Sequence, residues 1–190
     1  MTIGILAVQG AFVEHEKVLD TLGIHYIELR QKSDLLKPIQ GLILPGGEST
    51  VQGKLLKELD MFEDLQKMIQ SGIPVLATCA GMILLAEHLS NDNNQYFGTI
   101  PMTVKRNAYG RQLGSFCVSA PLEGIGEVPM TFIRAPYVEN CNPDVSILAT
   151  VGEKTVAVKY KNQIALAFHP ELNEDTRIHS LFIRLAETQS

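Results

Sequence analysis

The sequence predicts an α/β fold: one domain over residues 1–190, with a mixed, mostly parallel sheet flanked by helices. In the first half, short apolar runs alternate with amphipathic stretches, the pattern of βαβ units joined by right-handed crossovers. After about Leu89 the runs become strand-like, and the last of them, split by short polar turns, read as an antiparallel meander. A chain of 190 residues is also long enough to bury one continuous core.

Ile3 to Val8 reads as a strand buried on both faces, and Phe12 to Leu22 as a helix carrying Val18, Leu19 and Leu22 inward, closed by Gly23. His25 to Leu29 is a second strand. Leu42-Ile43-Leu44 is a third, running straight into Pro45-Gly46-Gly47. Ser49 to Leu59 and Met61 to Gln70 have helical periodicity, with Gly72 as a C-cap. Pro74 to Ala77 is a fourth buried strand, and Ile83 to Leu89 is placed on a helix. Asn91-Asp92-Asn93-Asn94 is a polar turn cluster. Beyond it, Val128 to Arg134, Ser146 to Val151, Thr155 to Tyr160 and Gln163 to Phe168 are the clearest strands. A final helix from Thr176 to Glu187 turns Ile178, Leu181, Phe182 and Leu185 inward.

Composition removes several function classes. Hydrophobic residues at 45% and charged residues at 19% exclude wholesale disorder. With a net charge of −5 and scattered basic residues, there is no electrostatic footprint for nucleic acid. Arg106, Arg111 and Arg134 stand singly, which suits a small anion better than a polyphosphate backbone. The three cysteines are odd in number and widely spaced, making neither a disulfide framework nor a zinc site. No metal and no cofactor are expected. Free thiols predict a reducing compartment, the cytoplasm. The apolar start Met1 to Val8 is short and soon gives way to Glu14-His15-Glu16, so it reads as a strand, not a leader, and no run approaches membrane-spanning length.

Three places carry chemistry, each where a strand ends, which is where open α/β sheets bind ligands. Val75-Leu76-Ala77-Thr78-Cys79-Ala80-Gly81 is a buried strand, a cysteine among small residues, and a helix start: a nucleophile elbow. The turn lifts the sulfur out of the sheet beside the amide end of a helix, which favours its nucleophilic form. Cys117 and Cys141 lack that setting and are assigned to packing. Phe168-His169-Pro170-Glu171 follows the apolar run Ile164 to Ala167. Pro170 fixes a bend that brings the Glu171 carboxylate to the His169 imidazole, the logic of a Cys-His-acid triad. His15, His25, His88 and His179 have no comparable context and are assigned to surface or packing. Leu44-Pro45-Gly46-Gly47-Glu48-Ser49-Thr50 supplies a glycine turn whose backbone amides can form an oxyanion hole, each donor worth about 3 kcal/mol. It lacks the Gly-Lys-Ser/Thr ending of a phosphate-binding loop. Alone, the second and third would be ordinary turns.

Together, and in this order, these residues resemble the class I (triad) glutamine amidotransferases, whose fold is flavodoxin-like. The resemblance spans nearly the whole chain. Ala7-Val8-Gln9-Gly10-Ala11-Phe12, Pro45 to Thr50, His169-Pro170-Glu171-Leu172 and above all Arg106-Asn107-Ala108-Tyr109-Gly110-Arg111-Gln112 are similar to the glutaminase subunits of pyridoxal 5′-phosphate synthase. One departure stands out. The family elbow is usually Gly-Thr-Cys-Ala-Gly, whereas Ala77 occupies the first position here, which matters only if that residue needs positive φ.

The resemblance implies Cys79 as nucleophile, His169 as base and Glu171 as its orienter, with an oxyanion hole from the amides of Gly47 and Ala80. It implies that Gly47, Glu48, Ser49, Arg106, Ile133 and Arg134 hold L-glutamine. The chemistry agrees, since an α-ammonium suits Glu48 and an α-carboxylate suits an arginine fork. It implies a large hetero-oligomer in which ammonia passes to a synthase subunit, with pyridoxal 5′-phosphate as product rather than cofactor. It also suggests that Gln9 lies at that interface and helps set the oxyanion hole. The triad alone leaves open a synthase making an imidazole or an anthranilate, and the fold alone leaves open a non-catalytic regulatory module. The Arg106 to Gln112 run argues against the first, and joint retention of Cys79, His169 and Glu171 against the second.

Overall fold

A computed structural model describes residues 1–107 and 114–188. Its strands are β1 (Thr2–Leu6), β2 (His25–Leu29), β3 (Gly41–Leu44), β4 (Val75–Thr78), β5 (Ala86–Leu89), β6 (Ile100–Lys105), β7 (Ser115–Leu122), β8 (Gly126–Ile133), β9 (Tyr137–Cys141), β10 (Ser146–Val151), β11 (Lys154–Tyr160) and β12 (Gln163–Leu166). The helices are α1 (Phe12–Thr21), α2 (Ser49–Glu58), α3 (Phe62–Gln70), α4 (Ala80–Leu85) and α5 (Arg177–Glu187), with 3-10 turns at Lys32–Leu36 and Pro170–Leu172.

The main sheet runs β2-β1-β3-β4-β12-β11-β9-β6-β5, and β10 pairs with β11. From β2 to β12 every pairing is parallel, and β12 then turns the sheet antiparallel through β11 and β10. The expected meander is therefore present, and its last strand is also the one that docks on the parallel half. Strands covered on both faces should be apolar throughout, and β3, β4 and β12 are buried at every position. α1 packs on β1 and β2, and α5 lies against β4. The α5 stripe buries Ile178 and Phe182, while Leu181 and Leu185 pack partly buried against the core.

Two expectations need correction. The segment Ile83 to Leu89 is not one helix: α4 stops at Leu85, and Ala86 turns to φ −66°, ψ 134°. The cause is tertiary. Leu84 gives its carbonyl to the Phe97 amide at 2.9 Å, and Ala86 to Leu89 pair with β6 at the sheet edge. Cys117 is exposed rather than packed. It lies on β7, which with β8 forms a separate two-stranded ribbon, and a ribbon with no sheet on its outer face cannot cover every residue. Cys141 is partly buried against the core. The expected run from Arg106 to Gln112 is described only as far as Asn107; Ala108 to Gln112, with Arg111, lie outside the described residues.

Candidate active site

The pairings that order the sheet also bring the three motifs together. β3, β4 and β12 are adjacent and parallel, with Leu44 opposite Ala77 and Thr78 opposite Leu166. Their C-terminal ends therefore share one edge, with neighbouring strands about 4.8 Å apart. Pro45 to Glu48 leave β3, Cys79 leaves β4, and His169 follows β12 by three residues.

Cys79 occupies φ 48°, ψ −100°, a conformation that L-residues adopt only under tertiary constraint. Its amide donates to Leu166 O at 2.7 Å, and its Sγ lies 3.9 Å from the Ile133 carbonyl. The positive φ falls on Cys79 and not on Ala77, which is an ordinary residue of β4 paired to Leu44 and Ala165. The departure at Ala77 thus leaves the elbow intact. Crowding is met at Gly81 instead, where an added Cβ would come within 2.2 Å of Leu44 O.

His169 Nδ1 is 2.7 Å from Glu171 Oε1, and both side chains are buried. Burial by itself lowers the imidazole pKa, but hydrogen bonding and charge from Cys79 and Glu171 outweigh it and raise His169 to about 10. The ring therefore carries both protons at neutral pH, with Nδ1 donating to the carboxylate. Burial works against the Glu171 carboxylate, yet His15 and His169 beside it hold its pKa below the usual carboxylate value. The third strand end closes over this pair: a Cβ on Gly46 would sit 2.2 Å from His169 Cε1, so only glycine lets the loop pass.

A cavity of about 310 Å³ opens at this edge. Gly47, Glu48, Ser49, Arg106, Ile133 and Arg134 line it together with Cys79 and His169, while Glu171 stands behind His169. Among the described residues the Gly47 amide has no protein acceptor, whereas the Gly46 amide donates to Thr78 Oγ1 at 2.9 Å. Ala80 is the first residue of α4, where a backbone amide has no intrahelical acceptor. The β7–β8 ribbon contributes the remaining wall. Thr131 O accepts from the His169 amide at 2.8 Å, and Arg134 takes φ 44° as the chain leaves β8.

The matching family model, described as the SNO glutamine amidotransferase family, covers residues 5–188. The chain belongs to the SNO glutamine amidotransferase family. It is 62% identical over 183 residues to the pyridoxal 5′-phosphate synthase subunit PdxT of Desulfitobacterium hafniense strain DSM 10664 / DCB-2, covering 96% of this chain and 92% of that one. It is 50% identical over 193 residues to PdxT of Streptococcus pneumoniae strain ATCC 700669, covering 100% of both. Among solved structures, a crystal structure of a glutamine amidotransferase superposes with a TM-score of 0.92 at 40% identity, covering 97% of this chain and 98% of that one. A chain of PurLQS from Thermotoga maritima shares the fold at a TM-score of 0.72 and 15% identity, over 96% of this chain and 97% of that one.

This SNO-family site includes residues that sequence reasoning passed over. Asp92, read only as part of a turn cluster, pairs with Arg106, which also reaches Glu48 Oε1 at 3.1 Å and Thr50 Oγ1 at 3.3 Å. Gln52 is fully buried and ties Gln9 O, at 2.9 Å, to Pro45 O, at 3.1 Å. Gln9 Oε1 accepts from the Glu48 amide at 2.9 Å, so the segment after β1 braces the glycine loop. His15 and His179, assigned to surface or packing, are wholly buried and meet at 2.9 Å behind Glu171. His25 and His88 are exposed. Among the described residues, no group of three or more His, Cys, Asp or Glu side chains could hold a metal ion, and no helix is long and apolar enough to cross a membrane.

The buried histidines make this fold acid-sensitive. Burial, helped by His15 and opposed by Glu171, lowers the pKa of His179 to about 3; burial likewise lowers His15. The unfolded chain takes up these protons near 6.5, the folded chain only at lower pH. The stability these two histidines contribute is therefore present above about 6.5 and is lost as pH falls below it, by about 1.4 kcal/mol per pH unit for His179 until its own pKa is approached. Urea midpoints measured from pH 7 to pH 5 should decline, and His179→Leu should make that decline shallower.

Proposed function

We propose that this chain, as one glutaminase domain over residues 1–190, is the glutaminase subunit of a pyridoxal 5′-phosphate synthase. It hydrolyses L-glutamine to L-glutamate and ammonia and passes the ammonia to a synthase subunit for vitamin B6 biosynthesis. The observation that carries the chemistry is the shared edge of β3, β4 and β12, where Cys79, His169 with Glu171, and the glycine loop meet around one cavity. The choice of branch rests on full-length similarity to chains named as pyridoxal 5′-phosphate synthase subunits.

The Cys79 sulfur adds to the carboxamide carbon of glutamine, and the oxygen takes up negative charge facing the amides of Gly47 and Ala80. Collapse breaks the C–N bond, and His169 protonates the departing nitrogen, leaving a glutamyl thioester and ammonia. His169, now neutral, removes a proton from water as that water attacks the thioester. Glutamate leaves and the sulfur is restored. Glu171 keeps the imidazole turned toward both steps.

Glutamine's α-groups meet a matched pair. Glu48 and Arg106 face each other across 3.1 Å, so the ammonium can go to one and the carboxylate to the other. Ser49, Ile133 and Arg134 complete the wall of the pocket. Arg106→Ala should raise KM for glutamine by about 10- to 100-fold with a smaller change in kcat, because a charge-assisted contact to the bound ground state is lost. Steady-state kinetics at saturating synthase subunit would check this, and an unchanged KM would remove Arg106 from the binding set.

Ammonia is mostly ammonium at neutral pH, which explains delivery within a large hetero-oligomer rather than release. Gln9, which braces the glycine loop, is placed to report contact with the synthase subunit to the oxyanion hole. Free cysteines support a cytoplasmic setting. The deciding experiment measures ammonia release from glutamine with and without the synthase subunit that uses a pentose 5-phosphate. Weak activity alone and strong activation by that subunit are expected. High activity indifferent to it would move the chain to another amidotransferase branch.

A further inference from the structure

The Glu171 carboxylate is used on one side only by the triad. Its Oε1 meets His169 Nδ1 at 2.7 Å, but its buried Oε2 has no hydrogen-bond partner among the described residues. A buried carboxylate oxygen without a donor is costly. His15 Nε2, from α1, lies 3.6 Å from that oxygen and 3.3 Å from Thr78 Oγ1. On its other side, His15 Nδ1 is 2.9 Å from His179 Nε2, from α5.

The tautomers of this pair are set by which of their polar atoms have partners. If His15 donated from Nδ1, its Nε2 lone pair could accept from the Thr78 hydroxyl but would also lie 3.6 Å from a carboxylate oxygen. The proton of His179 would then sit on Nδ1, a buried atom with no partner, leaving an orphaned N–H. If His179 instead donates from Nε2, only an unpartnered lone pair is left on its Nδ1. His15 then carries its proton on Nε2, aimed at Thr78 and Glu171. The second arrangement leaves neither imidazole N–H without an acceptor, since His179 donates to His15 Nδ1 and His15 to Thr78 Oγ1. It forms a line from α5 through α1 to the triad: His179, His15, Glu171, His169, Cys79.

We propose that His15, backed by His179, is a positioning residue for the glutaminase reaction: its Nε2–H, held by Thr78 Oγ1 at 3.3 Å, stands 3.6 Å from the second oxygen of Glu171, and its positive end favours that carboxylate ionised and turned toward His169. The role rests on the triad reading above. A pair of apolar side chains would fill the same space between α1, α5 and the sheet without the cost of burying two imidazoles, so packing alone gives no reason for their presence. Burial keeps both imidazoles neutral, as a donor–acceptor relay requires. The titratable groups facing this point are His169 on the turn of Glu171, Glu14 and His15 from α1, His179 from α5 and Cys79 from the elbow. From β8, packed on the same turn, the Thr131 backbone carbonyl accepts from the His169 amide.

The test is the pH dependence of kcat/KM for glutamine in the assembled complex with the synthase subunit. It compares His15→Leu, His15→Gln and His179→Leu. Without the donor, Glu171 protonates at higher pH. His15→Leu should therefore move the acid limb up by about one pH unit. It should lower kcat about tenfold and leave KM within about twofold. Gln offers an amide N–H near the position of Nε2 and should bring the limb back. His179→Leu, which frees the far end of the relay, should move the limb the same way by less. A packing role would lower stability in all three variants without moving the limb and without selective rescue by Gln. An unmoved limb in His15→Leu, or in His179→Leu should the first not fold, overturns the proposal, as does His15→Gln behaving like His15→Leu. Cys79→Ala, run alongside, separates the two levels: if it kept activity, the triad reading itself would fall, whereas full dependence on Cys79 with an unmoved limb removes only His15 and His179.

Discussion

Cys79→Ala should lower glutamine hydrolysis by about 10⁴-fold or more, because on the mechanism proposed above it removes the nucleophile and with it the covalent route. Labelling by an electrophilic glutamine analogue should vanish with it. The fold should survive, since Cys79 sits at φ 48° and alanine accepts that backbone no worse than cysteine does. Cys79→Gly makes the point sharper. Glycine adopts positive φ without a Cβ clash, so this inactive variant should be more stable than the parent by about 1 kcal/mol, read as a higher urea midpoint. Such a gain would show that the elbow stores backbone strain to present the sulfur, stability given up for function. Substantial turnover by Cys79→Ala would overturn the mechanism outright.

Gly46→Ala carries the second-largest effect, although Gly46 has no functional side chain. Its new methyl would lie 2.2 Å from Cε1 of His169. That ring cannot swing aside cheaply: it is buried and its Nδ1 is held by Glu171 at 2.7 Å. The loop cannot retreat easily either, because the Gly46 amide is bound to Thr78 Oγ1 and its carbonyl accepts from Ala11 N, both at 2.9 Å. The imidazole must therefore shift relative to Cys79, and a displacement near 1 Å costs about 100-fold in rate. We expect kcat/KM to fall by about that factor or more, with reduced labelling of Cys79 by the glutamine analogue, which depends on the same geometry. Near-parental kinetics would mean that the loop yields more readily than its hydrogen bonds suggest.

Much of this was legible in the residues themselves. Apolar runs too short for helices and lacking alternation point to strands covered on both faces, and β3, β4 and β12 are such strands. Each is followed by a residue pattern whose chemistry is local: a cysteine among small residues, a His-Pro-Glu bend, a Gly-Gly turn. Local chemistry of this kind can be read before the fold is known because the required backbone geometry depends on the immediate neighbours. Gly81 and Gly46 also mark close approach, though the atoms approached lie on other strands. The end of α4 at Leu85 was not legible, since Ile83 to Leu89 suits a helix in isolation and only pairing with β6 pulls Ala86 to Leu89 into the sheet.

What the tertiary structure alone decided concerns residues whose partners are remote in sequence. Asp92 reads as a turn residue until Arg106 folds against it. His15 is one polar residue on the helix after β1 until α5 brings His179, 164 residues away, to its Nδ1 and the bend after β12 brings Glu171 near its Nε2. The sequence by itself determined that a cysteine, a histidine and a carboxylate would stand at strand ends of a parallel sheet. That these strands are adjacent, in register and backed by a second pair of imidazoles was decided by packing, because hydrogen bonds and charges depend on distance in space, and no spacing along the chain encodes it.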